Sequence, residues 1–391
     1  MRNWVRLVAS LARASLGNLD AMLLFVGAIA FYSFFYPWPY GNQLVENVPV
    51  VVADLDGSAT SRRIVQSLRG TPSVRIVGVT RDQAEGEAVL KVEDASVMLV
   101  VPAGFEHDLL AGRRTVLGAI GTGAYPVQAK VAMAGSLGPL IEEATKASAR
   151  QLAVSGIPLS ALARASLQGP AIVVQPMFNV VPGYASYVVP IVGIVILQSI
   201  LLMAITLAMG GWLASEVRPQ HLEKALASRA GLTALVSAFA LIALFWLLYL
   251  QGLAFWLHDF PTLLNVTGVL VVAVPLCLAI GSLGVALSLA LGSDAYAMQV
   301  VVVTSIPAVF LSGAIYPWSN MPAWTRGVAD LFPSTPGIQG LLAASQMGGP
   351  TSAVLGHALH LCLLAAGYFG LATWLSRRKG QGGASKGPEA A

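Results

Sequence analysis

The segments AMLLFVGAIAFYSFFYP (21–37) and VPVVVADLDGS (48–58) stand close together in the chain and differ in kind. The first has no charged side chain and is near the length of about 20 residues that a helix needs to cross a bilayer. The second is a β-branched run that ends in Asp54-Leu55-Asp56-Gly57-Ser58, a pattern typical of a strand and turn in a soluble domain. We therefore expect a membrane helix over 20–37 that leads into a soluble domain.

The composition agrees with that reading. The chain has 391 residues, of which 56% are hydrophobic and 11% charged, and its mean hydropathy is +0.71. Soluble domains carry about 25% charged residues, so this is the composition of a membrane protein. Of the 42 charged residues, 24 lie between Glu46 and Arg164, where 12 acidic and 12 basic side chains balance. We infer one soluble domain inserted into a membrane protein.

Six apolar tracts are long enough to be membrane spans. They lie at 20–37, 185–209, 231–257, 263–291, 297–315 and 354–375. The first tract has no small-residue cleavage site after it, so we interpret it as an uncleaved anchor rather than a signal peptide. The predicted fold is a polytopic α-helical membrane protein with six transmembrane helices and an inserted α/β extracytoplasmic domain.

The basic residues of the short connecting segments set the orientation. Ten of them lie in the segments that six spans and an internal N-terminus place in the cytosol, whereas the outer short loops hold only Arg326. Both termini are therefore expected in the cytosol. The predicted parts are an amphipathic interfacial helix (1–19), a first span (20–37), an extracytoplasmic domain (38–184), a five-helix membrane domain (185–376) with an outer re-entrant hairpin near 312–350, and a cytosolic tail (377–391).

The inserted segment alternates strand and helix patterns. Strands are predicted at 47–54, 74–79, 95–102 and 115–122, with a last one at 173–178, and helices between them, the longest at about 126–152. Ser58 is the expected N-cap of the first helix. This alternation favours a small α/β domain with a largely parallel sheet.

The Asp54-Leu55-Asp56 motif has three interpretations: a structural turn, a binding site and a phosphatase centre. It is similar to the first motif of a haloacid-dehalogenase-type phosphatase, in which a strand delivers a nucleophilic aspartate. That chemistry also needs a late acidic pair for Mg²⁺. The only late pair, Glu142-Glu143, lies inside a predicted helix. The structural interpretation, in which the aspartates end a strand and form a turn, requires no missing partners and is the one we favour.

No catalytic, cofactor or metal site is predicted on this chain. It has no Walker A sequence, and the pair His357 and His360 lacks an evident third ligand. The two cysteines, Cys277 and Cys362, both lie in apolar tracts and indicate buried small hydrophobes.

The interiors of the predicted spans contain no Asp, Glu, Lys or Arg, whereas ion-coupled carriers usually keep such groups there. Energy from a partner protein is therefore expected. Most of the remaining polar side chains suit hydrogen bonds between helices, and a minority is expected to line a path. The candidates for a translocation path are Gln198, Thr206, Gln299 and Thr304.

Four stretches resemble the permease subunit of ABC-2-type exporters, which has one span, a large extracytoplasmic insertion and five further spans. They are VVVADLDGSATSRRIVQSL (50–68), FNVVPGYASYVVPIVGIVILQSILL (178–202), SEVRPQHLEKALAS (215–228) and the segment 310–349, which begins FLSGAIYPWSN. The third departs from the family pattern, since Pro219-Gln220-His221 stands where Gly-Thr is common.

The resemblance implies an export subunit that is not itself an enzyme. Two permease subunits, identical or paired with a sibling, would work with two cytosolic ATPase subunits that hold ATP and Mg. ATP-driven closure would be transmitted through 1–19 and through the loop after the second span. The coupling residues expected in that loop are Glu216, Arg218, Glu223 and Lys224.

The resemblance also implies a multi-pass protein of the bacterial cytoplasmic membrane, in contact with lipids, with no nucleic-acid partner. A periplasmic adaptor, as in tripartite multidrug efflux assemblies, is expected by analogy.

The outer hairpin contains helix-breaking prolines together with tryptophans. They suggest a gate formed by Pro317, Trp318, Pro322 and Trp324. The alternative is a membrane-anchored binding or assembly protein whose α/β domain recruits partners without transport. The sequence does not identify the substrate.

Overall fold

The structure is a computed structural model. It describes residues 2–40, 45–91, 95–111, 113, 115–122, 126–154, 184–215, 220–260, 262–292, 294–313 and 315–384. The chain forms two compact units, one from 44–176 and the other from 1–43 together with 177–391.

The second of these units begins with two helices at a sharp angle. Helix α1 (Arg2–Gly17) and helix α2 (Leu19–Phe35) meet at 95°. Asn18 separates them because its extended backbone ends α1 and its Oδ1 accepts hydrogen bonds from the backbone N–H groups of Asp20 and Ala21, at 3.0 and 3.2 Å. A π-helical turn, Leu23–Ala28, interrupts α2.

The unit 44–176 contains a four-stranded sheet. Its strands are β1 (Val48–Asp54), β2 (Val74–Thr80), β3 (Val97–Val101) and β4 (Gly118–Gly121). Their order is β2-β1-β3-β4, with β1 parallel to β2 and β3, and β4 antiparallel to β3. The helices are α3 (Ala59–Arg69), α4 (Gln83–Lys91), α5 (Phe105–Leu110) and α6 (Pro126–Val154). The strand expected at 173–178 lies outside the described residues.

Strand β1 is central because it is apolar on both faces. Val50 and Val52 join a core with Ile64 and Leu68 of α3, whereas Val51 and Ala53 face the opposite core. The β-branched run that predicts a strand therefore packs into two hydrophobic cores, one on each face of the sheet. The polar residues at its end form a turn.

The remaining helices belong to the unit that contains α1 and α2. They are α7 (Tyr184–Ala214), α8 (Gln220–Leu226), α9 (Arg229–Leu257), α10 (Val266–Leu291), α11 (Asp294–Leu311), α12 (Ala323–Ala329), α13 (Ser334–Leu341) and α14 (Thr351–Ala384). A π-helical turn, Leu250–Ala254, lies near the end of α9, and another, Leu342–Gln346, follows α13.

Among the described residues of this unit, four helices are long and apolar enough to cross a membrane: α7 over Val188–Ala214, α9, α10 and α14 over Thr351–Arg378. The bent pair α1–α2 raises the number to five. The apolar part of α11, Tyr296–Leu311, is shorter than the others. The protein is therefore a polytopic helical membrane protein with a small mixed sheet, and four to five of the six expected spans are long enough to cross.

Helix α10 lies at the centre of this bundle, in contact with α7, α9, α13 and α14. Helix α7 also packs along α11 and against α2. Helix α14 differs from the others, since only 17% of its spanning window is buried. Most of its surface is thus available to lipid or to another protein.

Candidate functional site

Three regions of the helical unit carry the candidate functional residues. The first is the short helix α8 between α7 and α9. Leu222 and Ala225, three residues apart, are fully buried, whereas Glu223 and Lys224 point outward and are exposed. The buried pair anchors the helix, so the two charged side chains are held on an exposed surface. The other two predicted coupling residues, Glu216 and Arg218, lie outside the described residues.

Close backbone packing fixes α8 against α9. Ser228 caps α9 by accepting a hydrogen bond from the N–H of Gly231 at 3.0 Å. A Cβ atom at Gly231 would overlap the carbonyl oxygen of Lys224 and lie 2.6 Å from that of Ala225. Only glycine allows the two helices to approach this closely. Because they are in such close contact, α9 must move when α8 moves.

Other elements brace the same helix. Helix α1 packs against both α8 and α9, with Val8 and Leu11 buried, while Trp4 and Val5 of α1 remain exposed. The hydroxyl of Ser376 in α14 donates to the carbonyl of Leu226 at 3.1 Å. Helix α8 is therefore in direct contact with three other helices, α1, α9 and α14, so its displacement would displace them.

His221 also belongs to α8. Its ring meets the edge of Trp212 in α7 at 5.3 Å, and its Nε2 is buried with no hydrogen-bond partner among the described residues. Burial lowers the pKa of His221, which favours the neutral ring near pH 7.

The second region is a cavity of about 160 Å³ lined by parts of α7, α10, α11 and α14 and by the segment before α13, which we call the Gln198 cavity. Its polar lining side chains are Gln198, Ser199, Thr304, Ser305 and Tyr368. Two of the four predicted path residues, Gln198 and Thr304, therefore line one space.

Gln198 is 3% exposed, and its Nε2 donates to the Ser334 hydroxyl at 3.3 Å. Its Oε1 has no partner among the described residues. An unpaired buried acceptor is costly, so this carboxamide is poised to accept a hydrogen bond from a guest.

The other two predicted path residues lie elsewhere. Thr206 is fully buried and its hydroxyl donates to the Met203 carbonyl of its own helix at 2.9 Å. Gln299 is exposed on α11 and does not line the Gln198 cavity. Ser334 and Tyr368 were missed in the sequence, although both are isolated polar residues beside or within apolar tracts.

The third region is the hairpin 312–350. It begins at Gly313, in the left-handed conformation with φ 82°, and the side chain of Gln339 donates to the Ser312 carbonyl at 3.2 Å. Helix α13 is buried nearly throughout and packs against α7, α10 and α14. Non-helical backbone at membrane depth is tolerated where protein surrounds it in this way.

Two side chains of α14 satisfy carbonyls of this hairpin. The Nε2 of His360 lies 3.0 Å from the Asp330 carbonyl oxygen, and the Tyr368 hydroxyl donates to the Leu331 carbonyl. His360 and Tyr368 flank the middle of the spanning part of α14, Thr351–Arg378. Asp330 and Leu331 of the hairpin therefore lie beside the middle of α14. Of the four predicted gate residues, Pro317, Pro322 and Trp324 are exposed, and Trp318 is half-buried beside Gly313.

The aspartate motif at the end of β1 forms a turn and a helix cap. Asp54 accepts hydrogen bonds from the N–H of Gly57 at 2.9 Å and from the Ser61 hydroxyl at 2.8 Å. Ser58 accepts from the N–H of Ser61 at 3.0 Å, which confirms the predicted N-cap. Asp56 accepts from the N–H of Glu106 at 3.1 Å. These carboxylates are engaged in joining β1, α3 and α5.

Metal-binding groups are not brought together in the described part of the chain, where no three His, Cys, Asp or Glu side chains cluster. His357 and His360 lie one turn apart in α14, and His360 contacts a backbone carbonyl of the hairpin.

Comparison with protein families gives one match. The model described as ABC-2 family transporter protein covers residues 21–374, which is all of the unit 44–176 and most of the helical unit. No curated protein matches the chain.

Proposed function

Because the chain belongs to the ABC-2 family of transporters, whose permeases are non-catalytic membrane components that associate with an ATPase subunit, we propose that it is the permease of an ATP-driven exporter. The observation that carries the proposal is the family match over nearly the whole chain. In this proposal six helices cross a bacterial cytoplasmic membrane, both termini are cytosolic, and the unit 44–176 is extracytoplasmic.

The coupling surface in this proposal is α8 with α1. The buried Leu222 and Ala225 hold α8 in place, and the close approach at Gly231 makes it rigid with α9. Glu223 and Lys224 are then the described side chains offered to the ATPase, and Glu216 and Arg218 extend the same loop. The 95° bend after α1 suits a helix that lies along the membrane surface, with exposed Trp4 and Val5 toward lipid.

The substrate path in this proposal passes the Gln198 cavity, and the hairpin 312–350 is its outer gate. Support comes from the unpaired Oε1 of Gln198 and from Leu331 and Phe332 of the hairpin, which line that cavity. Thr206 and Gln299 stay candidates for other stages of the path. A second permease copy or sibling completes the transporter, and the poorly buried α14 offers surface for lipid or for that contact. A periplasmic adaptor would bind the unit 44–176.

The first prediction tests the coupling surface. The double substitution Glu223→Ala, Lys224→Ala removes both exposed charges and leaves the buried anchors, so we expect the protein to insert normally but to lose most of its stimulation of ATP turnover. The measurement is ATPase activity of the copurified complex in lipid, with and without the permease variants.

The matched control is Glu142→Ala, Lys146→Ala, which removes a 2.6 Å ion pair four residues apart in α6. It deletes the same charges in the other unit and should leave coupling intact. Full coupling in the α8 variant would show that α8 is not the coupling surface.

Deletion of 45–180 distinguishes a permease from an assembly protein. An assembly protein would lose its only activity, whereas a permease would keep ATP coupling.

A further inference from the structure

A second cavity in the helical unit lies where α2 ends, α7 begins and α9 ends. Its volume is about 40 Å³, and its walls are almost entirely aliphatic and aromatic. Five residues with a polar group interrupt that lining: Tyr32 and Ser33 of α2, Tyr36 just after α2, Gln251 of α9 and His258 just after α9. We call it the Gln251 cavity; it is lined by residues other than those of the Gln198 cavity.

Gln251 is 5% exposed, and its Oε1 has no hydrogen-bond partner among the described residues. It lies in the π-helical turn Leu250–Ala254. Turns of this kind inside α-helices are rare and are found frequently at functional sites. A buried, unpaired acceptor at a cavity wall therefore calls for a donor from outside the protein.

Two other polar groups of the wall, the His258 ring and the Ser33 hydroxyl, have no proton free for Gln251. Nε2 of His258 lies 3.0 Å from the Ser33 carbonyl, which only accepts, so Nε2 carries the proton and Nδ1 of the neutral ring is an acceptor. The Ser33 hydroxyl donates to the Ala30 carbonyl at 2.7 Å, and therefore accepts from the Tyr249 hydroxyl at 3.1 Å. A guest must supply the hydrogen-bond donor.

The size of the cavity limits what enters it. A water-sized group needs about 10–15 Å³, so about three such groups fit. A wider cavity of about 360 Å³ continues from it and shares Tyr32, Tyr36, Ile196 and Ile200 with it. That cavity runs along α7 to Met203; its lining is mainly apolar, and it shares Ser199 and Ser305 with the Gln198 cavity. One end of a chain molecule can lie in the narrow space while its apolar remainder lies in the wide one.

We propose that the Gln251 cavity binds the hydroxyl end of an aliphatic amphiphile, with the hydroxyl donating to Oε1 of Gln251 and the hydrocarbon chain lying along α7. The ligand is a free long-chain alcohol or a hydroxyl-bearing membrane lipid. An alkane or an ether lacks the donor and leaves the Gln251 acceptor unpaired.

The test uses the full chain in lipid nanodiscs and a photoreactive, diazirine-bearing octanol. We expect it to label lining residues such as Tyr32, Tyr36 and Phe255, and excess octanol to reduce this labelling at least fivefold. The corresponding methyl ether should label these residues at least fivefold less. No ATPase is present, so the outcome does not depend on the proposed transport.

Two variants localise the site. A Cβ at Gly193 points into open space, so Gly193→Leu fills the cavity without touching the backbone and should abolish labelling by the alcohol. Gln251→Leu removes the acceptor and should make the alcohol and the ether label equally. Gly356→Leu, also without neighbours at its Cβ but on exposed α14, is the matched control and should label like the wild type.

Competition identifies the source of the ligand. If a diacylglycerol displaces the probe and its acetylated ester does not, the site binds a membrane lipid. If only octanol displaces the probe, the site binds free alcohols. Equal labelling by alcohol and ether in the wild type, absence of labelling at the cavity, or unchanged labelling in Gly193→Leu would overturn the proposal. The wild-type competition remains decisive if a variant does not fold.

Discussion

Gln198 and Thr206 lie eight residues apart in the same helix, and both are buried, yet their chemistry differs. Thr206 satisfies its hydroxyl within the helix, whereas the Oε1 of Gln198 has no partner in the described chain and faces a cavity. The difference arises from length, because a threonine hydroxyl reaches the carbonyl of the preceding turn and a glutamine carboxamide extends past its own backbone. Gln198 is thus the path residue with the strongest physical support.

The substitution Gln198→Leu should reduce transport by about tenfold or more, which corresponds to about 1.4 kcal/mol in the barrier. It keeps the side chain's bulk and deletes both hydrogen-bonding atoms, so the fold loses at most the single 3.3 Å bond to Ser334. Transport by the reconstituted complex measures the effect. Gln83→Leu, at an exposed site on α4 of the unit 44–176, is the control and should transport normally. Equal activities of the two variants would exclude Gln198 from the path.

At the scale of elements, apolar length and β-branched runs predict the helices and strands well. Strand β1 begins and ends within one residue of its expected bounds, because burial on both faces leaves little choice of register. Helix α9 begins and ends within two residues of its expected bounds. The sequence predicts a re-entrant hairpin at 312–350 but not which helix it contacts. His360 and Tyr368 of α14 contact its carbonyls 30 and 37 residues earlier in the chain, and no local pattern encodes these contacts.

Helix α8 is a second element whose contacts the sequence does not predict. Its polar face is visible in the sequence, but the contact that makes it rigid depends on Gly231 in the next helix. Gly231→Ala places a Cβ against the carbonyls of Lys224 and Ala225, and the turn must open. Overpacking of this kind costs about 1–3 kcal/mol. We therefore expect lower thermal stability and weaker ATPase stimulation than in the wild type.

The control for that substitution is Gly367→Ala in α14, where a Cβ meets nothing within 4 Å and the helix should gain slightly in stability. ATPase coupling and melting temperature of the full complex are the measurements. Unchanged coupling in Gly231→Ala would show that the junction between α8 and α9 does not carry the signal.

At the scale of the whole molecule, the open question is whether α11 crosses the membrane. Its 18 residues extend about 27 Å, slightly less than the roughly 30 Å hydrocarbon core. Three helices, α9, α10 and α11, lie between Lys224 and Trp324 in the chain. If all three cross, these residues lie on opposite sides of the membrane. If α11 only enters and returns, they lie on the same side.

Cysteine accessibility decides between these topologies. Cys277 is buried, so a Cys362→Ser background removes the exposed thiol and permits Lys224→Cys, Trp324→Cys and, in α6, Glu142→Cys. In intact cells a membrane-impermeant maleimide should label Trp324→Cys and Glu142→Cys, and it should reach Lys224→Cys only after permeabilisation. Labelling of Lys224→Cys and Trp324→Cys from the same side would reduce the bundle to five spans. It would also place the hairpin 312–350 at the cytosolic face, where it cannot be the outer gate.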